Sequence, residues 1–184
     1  MIPIYLDPSL ARIALIGRGA LTVRRLTWLQ QGGAAPEVWS DEPSEALLGA
    51  SDNTLLRRLP TDAELRDYQA IWIGDLPYER AELLANAARS AGVLVNVEDV
   101  VDLCDFHTPA VVRRGRLTLA AGTGGASPAV ARAARERLEQ AFPAAWEPAL
   151  EEIARARAAL RRRNAGFDAL VSDARQRLAE HGLA

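Results

Sequence analysis

Apolar positions along this chain switch between two periods. Ile13-Ala14-Leu15-Ile16 and Ala70-Ile71-Trp72-Ile73 are short unbroken apolar runs, and Val93 to Val97 is nearly so. Strands buried on both faces of a parallel sheet read this way. Glu37-Val38-Trp39 is a shorter run, and Leu55 to Leu59 a weaker one. Between them, apolar residues recur at helical spacing: Val23, Leu26 and Leu29, closed by Gly32-Gly33, and later Leu83, Leu84, Ala87, Ala88 and Ala91. A last run, Leu117 to Ala121, meets the glycine loop Gly122-Thr123-Gly124-Gly125. Ser127 then suits an N-cap and Pro128 the first helical position, with Val130, Ala134, Leu138 and Ala141 following at helical spacing. Strands alternating with helices to about residue 142 predict an α/β fold, a Rossmann-like doubly wound parallel sheet. In that layout Leu117–Ala121 joins the sheet. Its glycine loop then lies near Asp99 at the carboxyl edge, where open α/β sheets bind ligands.

Composition changes at Phe142-Pro143. Beyond it the chain is rich in Ala, Arg and Glu, with helical faces through Leu150, Ile153 and Leu160, then Leu170 and Leu178, and Gly166 between them. About forty residues of helix are too few for a separate core. They are expected to pack on the first domain or on a second subunit. The expected division is a nucleotide-binding domain over 1–112, then the last strand, glycine loop and linking helix over 113–142, and a small helical C-terminal region over 143–184.

Composition narrows the function. A formal charge of −2 gives no general drive toward nucleic acid. No apolar run approaches the roughly 18 residues of a membrane span. Asp7 and Arg12 interrupt the first apolar residues, so no secretory leader is expected and a cytoplasmic location is. One cysteine excludes an internal disulfide, and one Cys with two scattered His offers no structural zinc set. All 22 basic residues are arginine, which excludes Schiff-base chemistry by a side chain.

Gly17-x-Gly19-x-x-Thr22 between a strand and a helix is a degraded dinucleotide fingerprint. Gly17 permits the tight turn, and Gly19 lets a pyrophosphate approach the backbone. Gly17, Arg18, Gly19, Ala20 and Leu21 are the expected phosphate-side contacts. Thr22 replaces the third glycine and should loosen helix–strand packing. Asp41, 24 residues after Gly17, can accept hydrogen bonds from the ribose hydroxyls of NAD and repel a 2′-phosphate, with Glu42 reinforcing the sign. Asp75 closes the fourth strand. The competing reading is a glycine turn before a helix.

Residues 95–106 read VNVEDVVDLCDF, Pro109-Ala110 follow, and residues 114–136 read RGRLTLAAGTGGASPAVARAARE. This resembles the precorrin-2 dehydrogenase and sirohydrochlorin ferrochelatase family, whose usual pattern is close to VNVVDDPELCDF, then RGPLTIAISTGGKSPVLARLLRE. Pro3-Ile4-Tyr5-Leu6-Asp7 resembles the family's opening strand. GRGALTVRR, residues 17–25, stands where the family usually has GGGxVAxRK, so Arg18 replaces the middle glycine and either contacts phosphate or fills the groove. Of the family's Thr-Asp-Asp after the fourth strand, only Asp75 carries over.

The resemblance implies NAD-dependent oxidation of precorrin-2 to sirohydrochlorin, with insertion of Fe²⁺ or Co²⁺ as a further step, by a homodimer whose helical tail helps complete the active site. It implies a catalytic Asp99, as proton acceptor or stabiliser of positive charge; a strand-end cap is the bland alternative. A substrate with eight carboxylates implies arginines and N–H donors around it. Thr123, Gly124, Gly125, Ser127 and Arg114 are the substrate-side candidates. His107 is a candidate proton donor or axial ligand, against a surface histidine. Cys104 reads as a packed small residue. The rival function is a divergent member that has lost the dehydrogenase step and acts as a chelatase or a tetrapyrrole-binding protein.

Overall fold

The computed structural model describes residues 1–51 and 55–184. It forms two compact units, Met1–Thr108 and Pro109–Ala184.

The first unit is built on a five-stranded parallel sheet. In chain order its strands are β1 (Ile13–Gly17), β2 (Glu37–Trp39), β3 (Leu55–Leu56), β4 (Ala70–Gly74) and β5 (Leu94–Val97). Helices α1 (Ala20–Gln31), α2 (Glu45–Ala50), α3 (Asp62–Leu65) and α4 (Tyr78–Ser90) connect them. The spatial order is β3-β2-β1-β4-β5. The strand order therefore reverses between β1 and β4, whose last residues pair in register, Gly17 with Gly74. That reversal point is where such sheets leave a crevice for a ligand. Both central strands are buried along their whole length, as their unbroken apolar runs require. One core layer gathers Ile16, Leu65, Ile71, Ile73, Leu84 and Val95 with α3 and α4; the other gathers Leu15, Leu26, Leu29, Val38 and Leu47 with α1 and α2.

The second unit is an antiparallel hairpin with three helices. Strands β6 (Ala110–Arg114) and β7 (Leu117–Ala121) pair from Ala110 with Ala121 to Arg114 with Leu117. Gly115, at φ +56°, takes the left-handed position that a two-residue hairpin turn needs. α5 (Pro128–Ala141) packs on the hairpin, and α6 (Trp146–Arg162) packs on α7 (Phe167–Glu180) and β7. Arg177 joins α7 to α6 by pairing with both Asp173 and Glu152, and His181 Nε2 lies 3.0 Å from Glu152. Val112, Ala149 and Leu170 are the buried apolar residues of this unit among those described.

Three expectations change. Leu117–Ala121 is a strand, but its partner is β6, not the parallel sheet. Its Leu-Thr-Leu alternation fits a half-buried antiparallel ribbon. The glycine loop after it therefore does not end a strand of the parallel sheet. Pro3 to Asp7 forms no strand, and Ile2 and Ile4 are more than two-thirds exposed. The weak run Leu55–Leu59 contributes only Leu55–Leu56, and residues 52–54 just before it lie outside the described residues.

Candidate active site

At the end of β1 the chain turns through Gly17-Arg18-Gly19 into α1. A Cβ on Gly17 would lie 2.2 Å from both Gly74 O and Thr22 Oγ1, so only glycine fits. α1 starts without a side-chain cap of its own and with no acidic residue in its first turn. Asp75, held at φ +55° just past β4, supplies the missing acceptor. Its Oδ2 accepts from Gly19 N at 3.1 Å, Thr22 N at 2.8 Å and Thr22 Oγ1 at 2.9 Å. Thr22 Oγ1 also contacts Gly74 O at 3.2 Å, and Thr22 is fully buried. The threonine therefore does not loosen the helix–strand contact. Its hydroxyl bridges α1 to β4.

Asp41 stands at the end of β2. Arg18 grips it with two charge-assisted hydrogen bonds, from Nε at 2.8 Å and Nη2 at 2.7 Å, while Nη1 lies 3.2 Å from Glu42. The guanidinium holds the Asp41 carboxyl below its usual range, and the carboxylate raises Arg18 in turn. Arg18 O also accepts from Ser44 N at 2.9 Å. The first glycine loop is thus tied to the β2 turn by both backbone and side chain.

The distinctive stretch after β5 covers the open edge of the sheet. Val95 N donates to Asp105 Oδ2 at 2.9 Å, and Asp105 N to Val95 O at 2.8 Å. Cys104 Sγ accepts from Val97 N at 3.3 Å and reaches Val97 O at 3.2 Å. Asn96 Nδ2 donates to Phe106 O at 2.8 Å. Burial raises the Cys104 thiol, so it stays a neutral packing group. Cys104 and Asp105 act as a stand-in strand that protects β5 from stray pairing. They also pin both ends of the loop that carries Asp99.

Asp99 is exposed in that loop at φ +62°, a conformation that aspartate tolerates better than most residues. Its neighbour Glu98 points inward. The Glu98 side chain is 6% exposed and pairs with Arg25, 11% exposed, whose guanidinium lies 4.9 Å from the Trp28 ring. Glu98 N donates to Ile73 O at 2.8 Å. His107 is half-buried between Phe106, which meets Trp72 edge-on at 4.9 Å, and Thr108, whose hydroxyl accepts from Trp72 Nε1 at 3.2 Å.

In the second unit, Gly124 and Gly125 take φ values of +65° and +84°. Thr123 Oγ1 accepts from Ser127 N and contacts Ser127 O, both at 3.1 Å, so the hydroxyl closes the loop on itself. Ser127 Oγ caps α5 by accepting from Val130 N at 3.3 Å. Arg114 caps the other end of α5, donating from Nε to Phe142 O at 2.8 Å and from Nη2 to Glu139 O at 3.4 Å. Arg132 and Arg135 pair with Glu136 and Glu139 along the exposed side of α5.

Residues 4–110 match the family model described as "Putative NAD(P)-binding". The chain belongs to this family. Among curated relatives, a siroheme synthase of Methylococcus capsulatus is 35% identical over 145 residues, covering 77% of this chain and 31% of the relative. A siroheme synthase of Nitrosococcus oceani is 30% identical over 171 residues, covering 91% and 36%. The chain thus spans about a third of the length of these relatives. The solved structure of SirC, a precorrin-2 dehydrogenase, superposes over 100% of both chains with a TM-score of 0.70 at 19% identity, which shows a shared fold. The relatives and the shared fold support the resemblance carried by residues 95–136.

For an NAD(P)-binding domain, the first glycine loop fits its cofactor. Gly19 has no side chain, and a Cβ there would sit 3.1 to 3.3 Å from the Asp75 carboxylate. Asp75 takes the Gly19 and Thr22 N–H groups, and those of Ala20 and Leu21 stand at the same positive helix end for a pyrophosphate. The first unit thus brings Gly17 to Leu21, Asp41, Glu42 and Asp75 onto the carboxyl ends of β1, β2 and β4, with Asp99 beyond β5. Thr123, Gly124, Gly125, Ser127 and Arg114 belong to the second unit. Sequence reasoning missed Glu98 with Arg25. The available signal was a glutamate directly after a buried strand, opposite the arginine that stands in place of the family's usual lysine. Among the described residues no group of three or more His, Cys, Asp or Glu could hold a metal ion, and no helix is long and apolar enough to cross a membrane.

Proposed function

We propose that this chain oxidises precorrin-2 to sirohydrochlorin with NAD⁺, releasing NADH and a proton. The carrying observation is the first glycine loop at the β1–β4 reversal, in a chain whose relatives are siroheme synthases. NAD⁺, when bound, supplies the hydride acceptor. This chain's residues would do the rest. Ala20 and Leu21 would meet the pyrophosphate with backbone N–H groups, with Gly17, Arg18 and Gly19 forming the turn that admits it. Asp75 sets the shape of that loop, and Asp41 and Glu42, both paired with Arg18, would stand on the ribose side. Asp99 is the proposed catalytic group. Exposed and in contact with water, it can take a proton from the macrocycle or stabilise positive charge there. Thr123, Gly124, Gly125 and Ser127 form the proposed loop for substrate carboxylates, and His107 is a separate candidate contact in the first unit; Arg114, engaged at the opposite end of α5, is not among them. Fe²⁺ or Co²⁺ insertion after oxidation, a cytoplasmic setting and a homodimer complete the proposal. The sparse core of the second unit supports the dimer, and light scattering at micromolar concentration should give twice the chain mass.

A second reading, a chelatase or tetrapyrrole-binding protein without the dehydrogenase step, is favoured by one feature: Arg18 already occupies Asp41. Anaerobic incubation of precorrin-2 with NAD⁺, followed by Fe²⁺ or Co²⁺, separates the two. NADH formed in step with sirohydrochlorin supports the oxidation. Metal uptake into supplied sirohydrochlorin with no NADH supports the second reading.

A further inference from the structure

A carboxylate at the end of the second strand of such a domain favours NAD for two reasons: it accepts from the ribose hydroxyls and it repels a 2′-phosphate. Both reasons assume that the carboxylate faces the ribose alone. Asp41 does not. Its two oxygens are taken by Nε and Nη2 of Arg18, in the side-by-side geometry that matches a guanidinium to a carboxylate. Together the two side chains carry no net charge. Arg80 adds a second positive charge to the field at Asp41. Glu42 opposes it: its carboxylate lies 3.2 Å from Nη1 of Arg18, with a side chain that is 79% exposed and largely screened by solvent.

Arg18 is also held in place. It lies between the two glycines of the loop, and its carbonyl accepts from Ser44 N at 2.9 Å, just past Asp41. Its side chain is 27% exposed, so the pair is open in part to solvent. A guanidinium carries five N–H donors, more than Asp41 and Glu42 together use.

We propose that Arg18 sets the nucleotide selectivity of this domain: by occupying Asp41 it cancels the charge that would turn away a 2′-phosphate and presents a guanidinium to receive one, so that NADP binds about as well as NAD. The inference rests on the proposed nucleotide site at Gly17 to Leu21, and it replaces the strict NAD preference expected from Asp41 as a lone charge.

Isothermal titration of NAD⁺ and of NADP⁺ into the intact chain, the Arg18→Ala variant and the Asp41→Asn variant tests it, with thermal melts confirming that each is folded. The wild-type dissociation constants should agree within about threefold, under 1 kcal/mol. Arg18→Ala should weaken NADP by about tenfold or more, while NAD binds equally or more tightly because Asp41 is released to the ribose. Asp41→Asn should leave NADP binding intact or strengthen it. A wild-type chain that prefers NAD by about a hundredfold overturns the proposal alone, as does an Arg18→Ala variant with an unchanged ratio. Binding of neither nucleotide to the wild type overturns the nucleotide site, and this proposal with it.

Discussion

The chain contains two strand–glycine loop–helix segments, Ile13 to Gln31 and Leu117 to Ala141, and they use glycine for different reasons. In the first, glycine makes room. β1 is wholly buried, and a methyl group on Gly17 would collide with the β4 backbone and with Thr22 at 2.2 Å. In the second, glycine sets backbone shape. Gly124 and Gly125 are exposed and left-handed, and the loop is closed by the Thr123 hydroxyl. The settings differ likewise. The first loop rests on two packed core layers, whereas the helix after the second buries no residue. A rigid loop on a deep core suits a ligand held by fixed N–H groups. A loop on a thin, amphipathic unit suits a surface completed by another partner, which is the basis of the proposed dimer.

The largest expected effect lies in the same unit as the first loop, just past β5. Asp99→Ala should cut the rate of precorrin-2 oxidation by about 10²–10⁴-fold while leaving NAD binding unchanged, as measured by anaerobic single-turnover kinetics. A wild-type rate would make Asp99 structural. Next, Gly17→Ala should cost about 3 kcal/mol of stability by denaturant unfolding, because the β4 backbone at Gly74 and the buried Thr22 side chain must both give way. Thr22→Val keeps the shape and deletes the hydroxyl that bridges Gly74 and Asp75, and should cost about 1–3 kcal/mol. Gly122→Ala, in the second loop, meets nothing within 4 Å and should change stability by no more than about 0.5 kcal/mol. If Gly17→Ala and Gly122→Ala proved equally mild, the distinction between the two loops would collapse.

The same contrast explains what the sequence made legible. Strands buried on both faces leave unbroken apolar runs, so β1, β4 and β5 could be read directly. β6 could not: Ala110-Val111-Val112 runs straight into Arg113-Arg114, and only Val112 is buried. Helices α2 and α3, with six and four residues, are too short to show a period. Pro3 to Asp7 resembles a family strand, but pairing depends on a partner edge that a local resemblance does not encode. At the site, Gly17, Gly19 and Asp41 were readable as candidates from spacing, and Asp75 from the resemblance. Their pairings were not. Arg18 meets Asp41 across 23 residues, and Asp75 reaches back 53 to Thr22, because the β1–β2 and β1–β4 registers bring them together. The residues Cys104 and Asp105 were prominent in the resemblance, yet their hydrogen bonds are spent on the β5 edge.

The division of labour between the loops is tested most directly by Gly124→Val. A branched residue at φ +65° is strained and crowds the neighbouring N–H groups, while Ser127 still caps α5. Titrations of NAD⁺ and of sirohydrochlorin into this variant should show nucleotide affinity retained and tetrapyrrole affinity sharply reduced. Loss of NAD affinity with tetrapyrrole binding intact would mean that the two sites are exchanged and that Gly17 to Thr22 is only a turn.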